Sequence, residues 1–249
     1  MTHSPTIGIT ARKGDDAWVR EHTCNYINVL NEYGATTVIL APDTPVTLPD
    51  GTRFTPDAAG RLPTDIVAHL DGLVLAGGGD VHPKYFGAEL AGANPDAIDL
   101  LRDELELNLA RAAYAHDLPT FGICRGCQVM NVAAGGGMVQ DFGGHRSSKE
   151  TPVFHDVTLH DGSRLRAIVD GGRLTVNTYH HQGLDLPSMA PLFAPVGLAD
   201  PDTWLVEAFE SLQHRWVIGV QWHPERLFEL DAAHRRLWDS FVAACEKQD

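Results

Sequence analysis

Cys124 stands between two glycines in Gly122-Ile123-Cys124-Arg125-Gly126, after the apolar run from Leu118 and before Cys127-Gln128-Val129-Met130-Asn131. This is G-x-nucleophile-x-G spacing, the sharp strand-to-helix turn that lifts a nucleophile above a sheet edge, with a thiol in place of a hydroxyl. Glycines suit such a turn because helix and strand backbones pass close together there. The helix N-terminus carries partial positive charge and favours thiolate, the reactive form of cysteine. The competing reading is a buried structural cysteine that happens to adjoin two glycines.

A cysteine hydrolase also needs a base to take the thiol proton and protonate the leaving amine, and a group to orient that base. Val217-Ile-Gly-Val-Gln-Trp-His223-Pro224-Glu225 offers both. In extended backbone, residues i and i+2 project to the same side, and Pro224 biases His223 away from helix. Glu225 is therefore expected to reach the His223 imidazole, fix its tautomer and stabilise the imidazolium. The plainer reading is a strand-end histidine salt-bridged to its neighbour.

Two further stretches carry polar chemistry. Gly77-Gly78-Gly79-Asp80 follows the strand Gly72 to Leu75 and can turn backbone N–H groups toward a ligand. It lacks the phase of a dinucleotide-binding loop. Asn177-Thr-Tyr-His180-His181-Gln182 reads as a polar wall facing substrate; adjacent residues of a strand point to opposite faces, and no zinc-helix motif is present. The other histidines, His145, His155 and His160 among them, show no metal-ligand spacing. No metal and no cofactor are expected. Arg102 and Glu106 can pair at i,i+4, which is ordinarily a solvated salt bridge.

The elements that must hold these groups alternate. Strands are expected at Thr6–Thr10, 35–40, 72–75 and before Cys124, with helices at Trp18–Tyr33, about 64–70 and Asp99–Ala115. Asp99 caps the last of these, and Leu101, Leu105, Leu109 and Ala112 form its expected buried stripe. The stretch Pro42–Pro56 reads as an exposed connection and Val81–Asn94 as irregular. Such βαβ alternation implies an α/β fold with a parallel sheet and ligands at its C-terminal edge. Beyond Phe142, short strands at 153–160, 165–169, 174–177, 193–200, 205–210 and 216–221 suggest an antiparallel or mixed extension. A helix over 232–247, apolar at Leu237, Trp238, Phe241, Val242 and Cys245, closes the chain.

Composition narrows the function. The 249 residues hold 43% hydrophobic types, enough for a full core, and 33 Asp and Glu against 19 Lys and Arg give −14 with neutral histidine. That charge argues against nucleic acid or an anionic membrane as partner. The four cysteines are too sparse for a disulfide scaffold, and no signal or membrane-spanning run is apparent, so a cytoplasmic protein is expected. With no linker or repeat, residues 1–249 read as a single domain.

Taken together, Phe121-Gly-Ile-Cys-Arg-Gly-Cys-Gln128, Gly77-Gly-Gly-Asp80, Asn177-Thr-Tyr-His-His-Gln182, Gly219-Val-Gln-Trp-His-Pro-Glu225 and Arg102-Asp-x-x-Glu106 resemble the class I glutamine-amidotransferase-like hydrolases. Within them the chain resembles the gamma-glutamyl-gamma-aminobutyrate hydrolases of the peptidase C26 group. The resemblance implies a three-layer, flavodoxin-like sandwich with a largely parallel central sheet and an antiparallel extension. It implies a small-molecule γ-glutamyl amide as substrate, with gamma-glutamyl-gamma-aminobutyrate or a γ-glutamyl polyamine as the specific expectation. Cys124, His223 and Glu225 would be the catalytic triad. Backbone N–H groups of Gly78 and Arg125 would form an oxyanion hole, worth roughly 3–4 kcal/mol per donor in serine hydrolases. Gln128, His181 and Gln182 would hold the glutamyl end, with Arg102 and Glu106 structural. A homodimer is a family-level expectation. Phe86, Thr178 and Cys127 depart from the usual Tyr, Ser and large apolar residue. A glutaminase subunit serving a synthetase and an inert binding member are the alternatives. The amine half would be met by the loops Val81–Asn94 and Gly143–Pro152.

Overall fold

Strand and helix alternate through the first half of the chain in the computed structural model, which describes residues 4–147 and 153–246. The order is β1 (Thr6–Thr10), α1 (Asp16–His22), α2 (Cys24–Glu32), β2 (Thr36–Leu40), β3 (Val46–Thr47), β4 (Arg53–Phe54), β5 (Gly72–Leu75), α3 (Leu100–Ala115), β6 (Thr120–Ile123) and α4 (Arg125–Ala133). The second half holds β7 (Val153–Leu159), α5 (Arg164–Val169), β8 (Arg173–Thr178), β9 (Leu184–Asp185), β10 (Phe193–Asp200), β11 (Leu205–Ser211), β12 (Val217–Val220) and α6 (Ala232–Cys245).

One sheet runs β2-β1-β5-β6-β12-β11-β10-β7-β8, with β9 on β11. From β2 to β12 every pairing is parallel; from β12 onward every pairing is antiparallel. The central parallel strands β5, β6 and β12 are buried along their whole length and on both faces. Leu73 and Leu75 face one core, which also holds Leu105, Leu109 and Met130. Val74, Phe121 and Ile123 face the other, with Leu30, Trp238 and Phe241. The result is the three-layer α/β arrangement and antiparallel extension expected of the class I glutamine amidotransferase fold.

Several local expectations are corrected. The 165–169 stretch is the helix α5, not a strand. Ser163 caps it by accepting the Arg166 N–H at 3.2 Å, Glu210 accepts the N–H groups of Arg164 and Leu165, and left-handed Asp170 ends it. Five apolar-rich residues do not distinguish strand from short helix; the caps decide. The 18–33 helix is two, broken at Thr23, so that α2 can bury Tyr26, Val29 and Leu30 while α1 buries nothing. Leu105, Leu109 and Ala112 of α3 are buried as expected, but Leu101 is 44% exposed and Arg102, Asp103 and Glu106 are buried in addition. The Pro42–Pro56 stretch contains the hairpin β3-β4. Residues 1–3, 148–152 and 247–249 lie outside the described residues, including part of the Gly143–Pro152 loop and the expected helix end at Lys247.

Candidate active site

Three neighbouring parallel strands deliver the candidate groups to one edge. β5 leads into Gly77-Gly78-Gly79, β6 into Cys124, and β12 into His223. The register pairs Leu75 with Gly122 and Ile123 with Val220, so the three chain exits are level.

Cys124 adopts φ 52° and ψ −111°, unusual for a non-glycine residue and a local source of strain. Its N–H still donates to the Val220 carbonyl at 2.8 Å, which pins the turn to β12. The flanking glycines are steric necessities. A Cβ on Gly126 would fall on the Leu75 carbonyl, and one on Gly122 on the Met130 sulfur. The Cys124 side chain is buried, yet it lines clefts on two sides.

His223 Nδ1 lies 2.6 Å from Glu225 Oε1, as expected from their spacing. The backbone reason differs from the expected one. The segment is a turn, with Arg226 N–H donating to the His223 carbonyl at 3.1 Å, and Pro224 occupies the second position that such turns favour. Burial of the imidazole works against its charge, but Glu225 and Cys124, by charge and hydrogen bonding, outweigh burial and raise its pKa well above the ordinary value. Asn177 accepts the His223 N–H at 2.9 Å and donates to its carbonyl at 3.3 Å. The Tyr179 ring stands edge-on to the imidazole with centroids 5.4 Å apart.

The glycine rim is held from beneath. Arg102 Nη2 donates to the Ala76 and Gly77 carbonyls at 3.1 and 2.9 Å, while the Tyr26 hydroxyl accepts the Gly77 N–H at 3.0 Å. With those carbonyls engaged, the Gly78 N–H has no acceptor among the described residues, and neither has that of Arg125. Gly78 must lack a side chain because a Cβ would meet the Arg102 guanidinium. Arg102 and Glu106 are not solvated. They pair at 2.8 Å in the interior, and Arg125 bonds both Glu106 and Asp103. Two buried cations and two buried anions neutralise one another, so burial is tolerated. Burial alone would disfavour the Glu106 carboxylate; Arg102 and Arg125 outweigh this and hold its pKa below the usual range.

Two clefts meet at Cys124. The smaller, about 110 Å³, is lined by Gly78, Gly79, Arg125, Gln128, His181 and Gln182, among others. It thus gathers the residues expected at the glutamyl end. Gln128 donates to the Gln182 carbonyl at 3.0 Å and to Gln221 Oε1 at 3.1 Å. His181 is held between Asp80 at 3.1 Å and Asp141 at 2.9 Å. The Gln182 side chain donates through Nε2 to the Gln140 carbonyl at 3.0 Å, and its amide oxygen Oε1 is buried without a partner. The larger cleft, about 440 Å³, contains His223 and Glu225 and is walled by Arg12, Trp18, Glu21, His22 and Arg226. None of Val81–Asn94 lines either cleft, whereas Arg146, in the described part of the Gly143–Pro152 loop, lines the smaller one.

Sequence reading missed three residues that touch the constellation. Tyr26 registers only as an apolar helix position, yet its hydroxyl bonds the rim and neighbours Glu225; burial and then the Glu225 charge push its pKa well up, so it stays protonated. Gln221, hidden in a strand run, points Nε2 at the Cys124 sulfur at 3.6 Å. Asn177 passes for substrate wall but grips His223. Cys127 is buried, with Sγ 3.6 Å from Gln221 Oε1 and its thiol pushed well up by burial, as a structural residue of the elbow helix would be.

A model of the peptidase C26 family matches residues 5–225. The chain belongs to the peptidase C26 family. Gamma-glutamyl-gamma-aminobutyrate hydrolase of Escherichia coli O157:H7 is 33% identical over 231 residues, covering 87% of this C26 chain and 86% of that protein. NtpR of Enterococcus hirae is 32% identical over 202 residues, covering 75% and 80%. The glutaminase domain of Trypanosoma brucei CTPS with bound acivicin superposes with a TM-score of 0.66 over 99% of this chain and 95% of that one, at 16% identity. That last likeness is one of fold. The C26 membership and relatives make the protein a glutamine-amidotransferase-like hydrolase. Among the described residues, no helix is long and apolar enough to cross a membrane.

Proposed function

We propose that the protein hydrolyses a γ-glutamyl amide to glutamate and an amine, with gamma-glutamyl-gamma-aminobutyrate the first substrate to consider. The observation that carries this reading is the convergence of Cys124, the His223–Glu225 pair and the unpaired Gly78 and Arg125 N–H groups at level ends of adjacent strands. The relatives named for that activity support the substrate class.

In this mechanism the Cys124 thiolate attacks the γ-carbonyl carbon. The oxyanion takes hydrogen bonds from the backbone N–H groups of Gly78 and Arg125, which are fixed before reaction. His223, protonated and held by Glu225, gives its proton to the amide nitrogen as the C–N bond breaks, and the amine leaves through the larger cleft. Neutral His223 then takes a proton from water, whose oxygen attacks the thioester. The C–S bond breaks, glutamate is released and Cys124 is regenerated. Gln128, His181 and Gln182 wall the glutamyl side.

A panel of γ-glutamyl amides bearing neutral, anionic and cationic amines, assayed by glutamate release from the protein alone, tests the reading. Turnover of at least one amide is expected, and loss of it in Cys124→Ala. Equal rates for wild type and Cys124→Ala would remove Cys124 from the reaction. Activity confined to glutamine would favour a glutaminase.

A further inference from the structure

Behind the wall of the smaller cleft, the fold brings together histidines that the sequence scatters. His145 lies in the loop after α4, His155 on β7, Glu207 on β11 and His180 just past β8. One ligand atom each from His145, His155 and Glu207 lies within 4.8 Å of the others. Glu207 Oε1 sits 3.9 Å from His145 Nδ1, 3.2 Å from His155 Nε2 and 3.6 Å from His180 Nε2. These spacings bracket the edge of about 3.3 Å expected for a tetrahedron of nitrogen and oxygen ligands about zinc.

Two independent observations point inward. First, His145 Nδ1, both nitrogens of His155, His180 Nε2 and both carboxylate oxygens of Glu207 are buried without a hydrogen-bond partner. Buried polar groups in native proteins are nearly always satisfied, so this concentration calls for something at its centre. Second, the outer nitrogens of His145 and His180 are occupied. His145 Nε2 lies 3.2 Å from Asp202 Oδ2, and His180 Nδ1 lies 3.0 Å from the Gln182 carbonyl. Each contact places the ring proton on the outer nitrogen and turns a lone pair toward Glu207, the arrangement by which metal-binding histidines are oriented.

We propose that His145, His155 and Glu207 bind one divalent transition-metal ion of the zinc type, with His180 Nε2, 3.6 Å from Glu207 Oε1, beside them. Imidazoles and a carboxylate suit zinc, and a shift of His180 onto the ion would make the closed, four-ligand geometry of a structural site. The ion would tie together β7, β11, the loop carrying His145 and the segment bearing His181 and Gln182. His180 also lines the smaller cleft, but none of His145, His155 and Glu207 lines either cleft, and the ion takes no part in the proposed hydrolysis.

The test uses chelator-stripped protein without a histidine tag, titrated with Zn²⁺ against a chromophoric competitor and separately with Co²⁺. One equivalent of zinc is expected, along with a raised melting temperature and a four-coordinate cobalt visible spectrum lacking a thiolate band. Affinity should fall at least tenfold in His155→Ala and Glu207→Gln and be unchanged in Cys124→Ala. Absence of stoichiometric binding by wild type, which needs no variant to fold, would overturn the proposal. So would a thiolate–cobalt band, or binding that survives both His155→Ala and Glu207→Gln. None of these readouts depends on substrate turnover.

Discussion

Asn177 grips the His223 backbone on both sides of its Cα, accepting from its N–H at 2.9 Å and donating to its carbonyl at 3.3 Å. The asparagine sits at the far side of the sheet's antiparallel extension, on β8, while the histidine follows the last parallel strand. The extension therefore reaches back to fix the imidazole's backbone.

Asn177→Ala should lower kcat while leaving KM within a few-fold, because it frees His223 without touching substrate. A loss of about 10²-fold would match the cost of an ångström's misplacement of a reacting group. Steady-state kinetics on a γ-glutamyl amide, with a thermal melt to confirm folding, would show it. An unchanged kcat would mean that Pro224 and the turn suffice.

Glu225→Gln should move the alkaline limb of the kcat/KM profile to lower pH, since a charge that raises the His223 pKa has gone. A parallel effect belongs to stability. Below the ordinary histidine value of about 6.5, folded and unfolded chains both carry the proton and the full stabilisation is present. As pH rises, the unfolded chain loses its proton first, and the contribution fades through the folded value. Wild type should accordingly lose its stability advantage over Glu225→Gln on going alkaline. Superimposable pH profiles would remove Glu225 from the pair.

Glu106→Gln leaves two buried arginines facing one carboxylate. Breaking a buried ion pair from one side costs about 3–5 kcal/mol, measurable by urea unfolding. The double variant Arg102→Met, Glu106→Gln restores the charge balance and should be less destabilised than the sum of the two single variants. Strict additivity would mean that the cluster does not act as a unit.

Gly126→Ala should be more damaging than its one added methyl suggests, because the Cβ would meet backbone that cannot rotate away, the Leu75 carbonyl. Glutamate release should be lost, with lower thermal stability. A folded, active Gly126→Ala would show that the elbow can open.

Much of the candidate site was readable because its signals are local. Gly122, Cys124 and Gly126 fall within one turn, and His223 and Glu225 are two residues apart, so their pairing survives even though the backbone turns where extension was expected. What stayed hidden depends on distant partners. The burial of Arg102 and Glu106 makes sense only once Arg125 arrives from α4. His145, His155, His180 and Glu207 come from four segments whose spacing carries no motif. Tyr26 looked like core because its ring is core; only its hydroxyl reaches the rim. For Leu165–Val169, the choice of helix depends partly on Glu210, more than forty residues onward.

Strand β12 lies beside β6 in space but follows it by almost a hundred residues, with the whole antiparallel extension made in between. During synthesis the cysteine therefore leaves the ribosome long before the imidazole that would activate it exists. On the proposed mechanism, a nascent chain cannot attack a γ-glutamyl compound until most of its length has been translated and the last parallel strand has slotted into the gap. The order of elements thus works as a delay, withholding the reactive thiolate until its surroundings are complete.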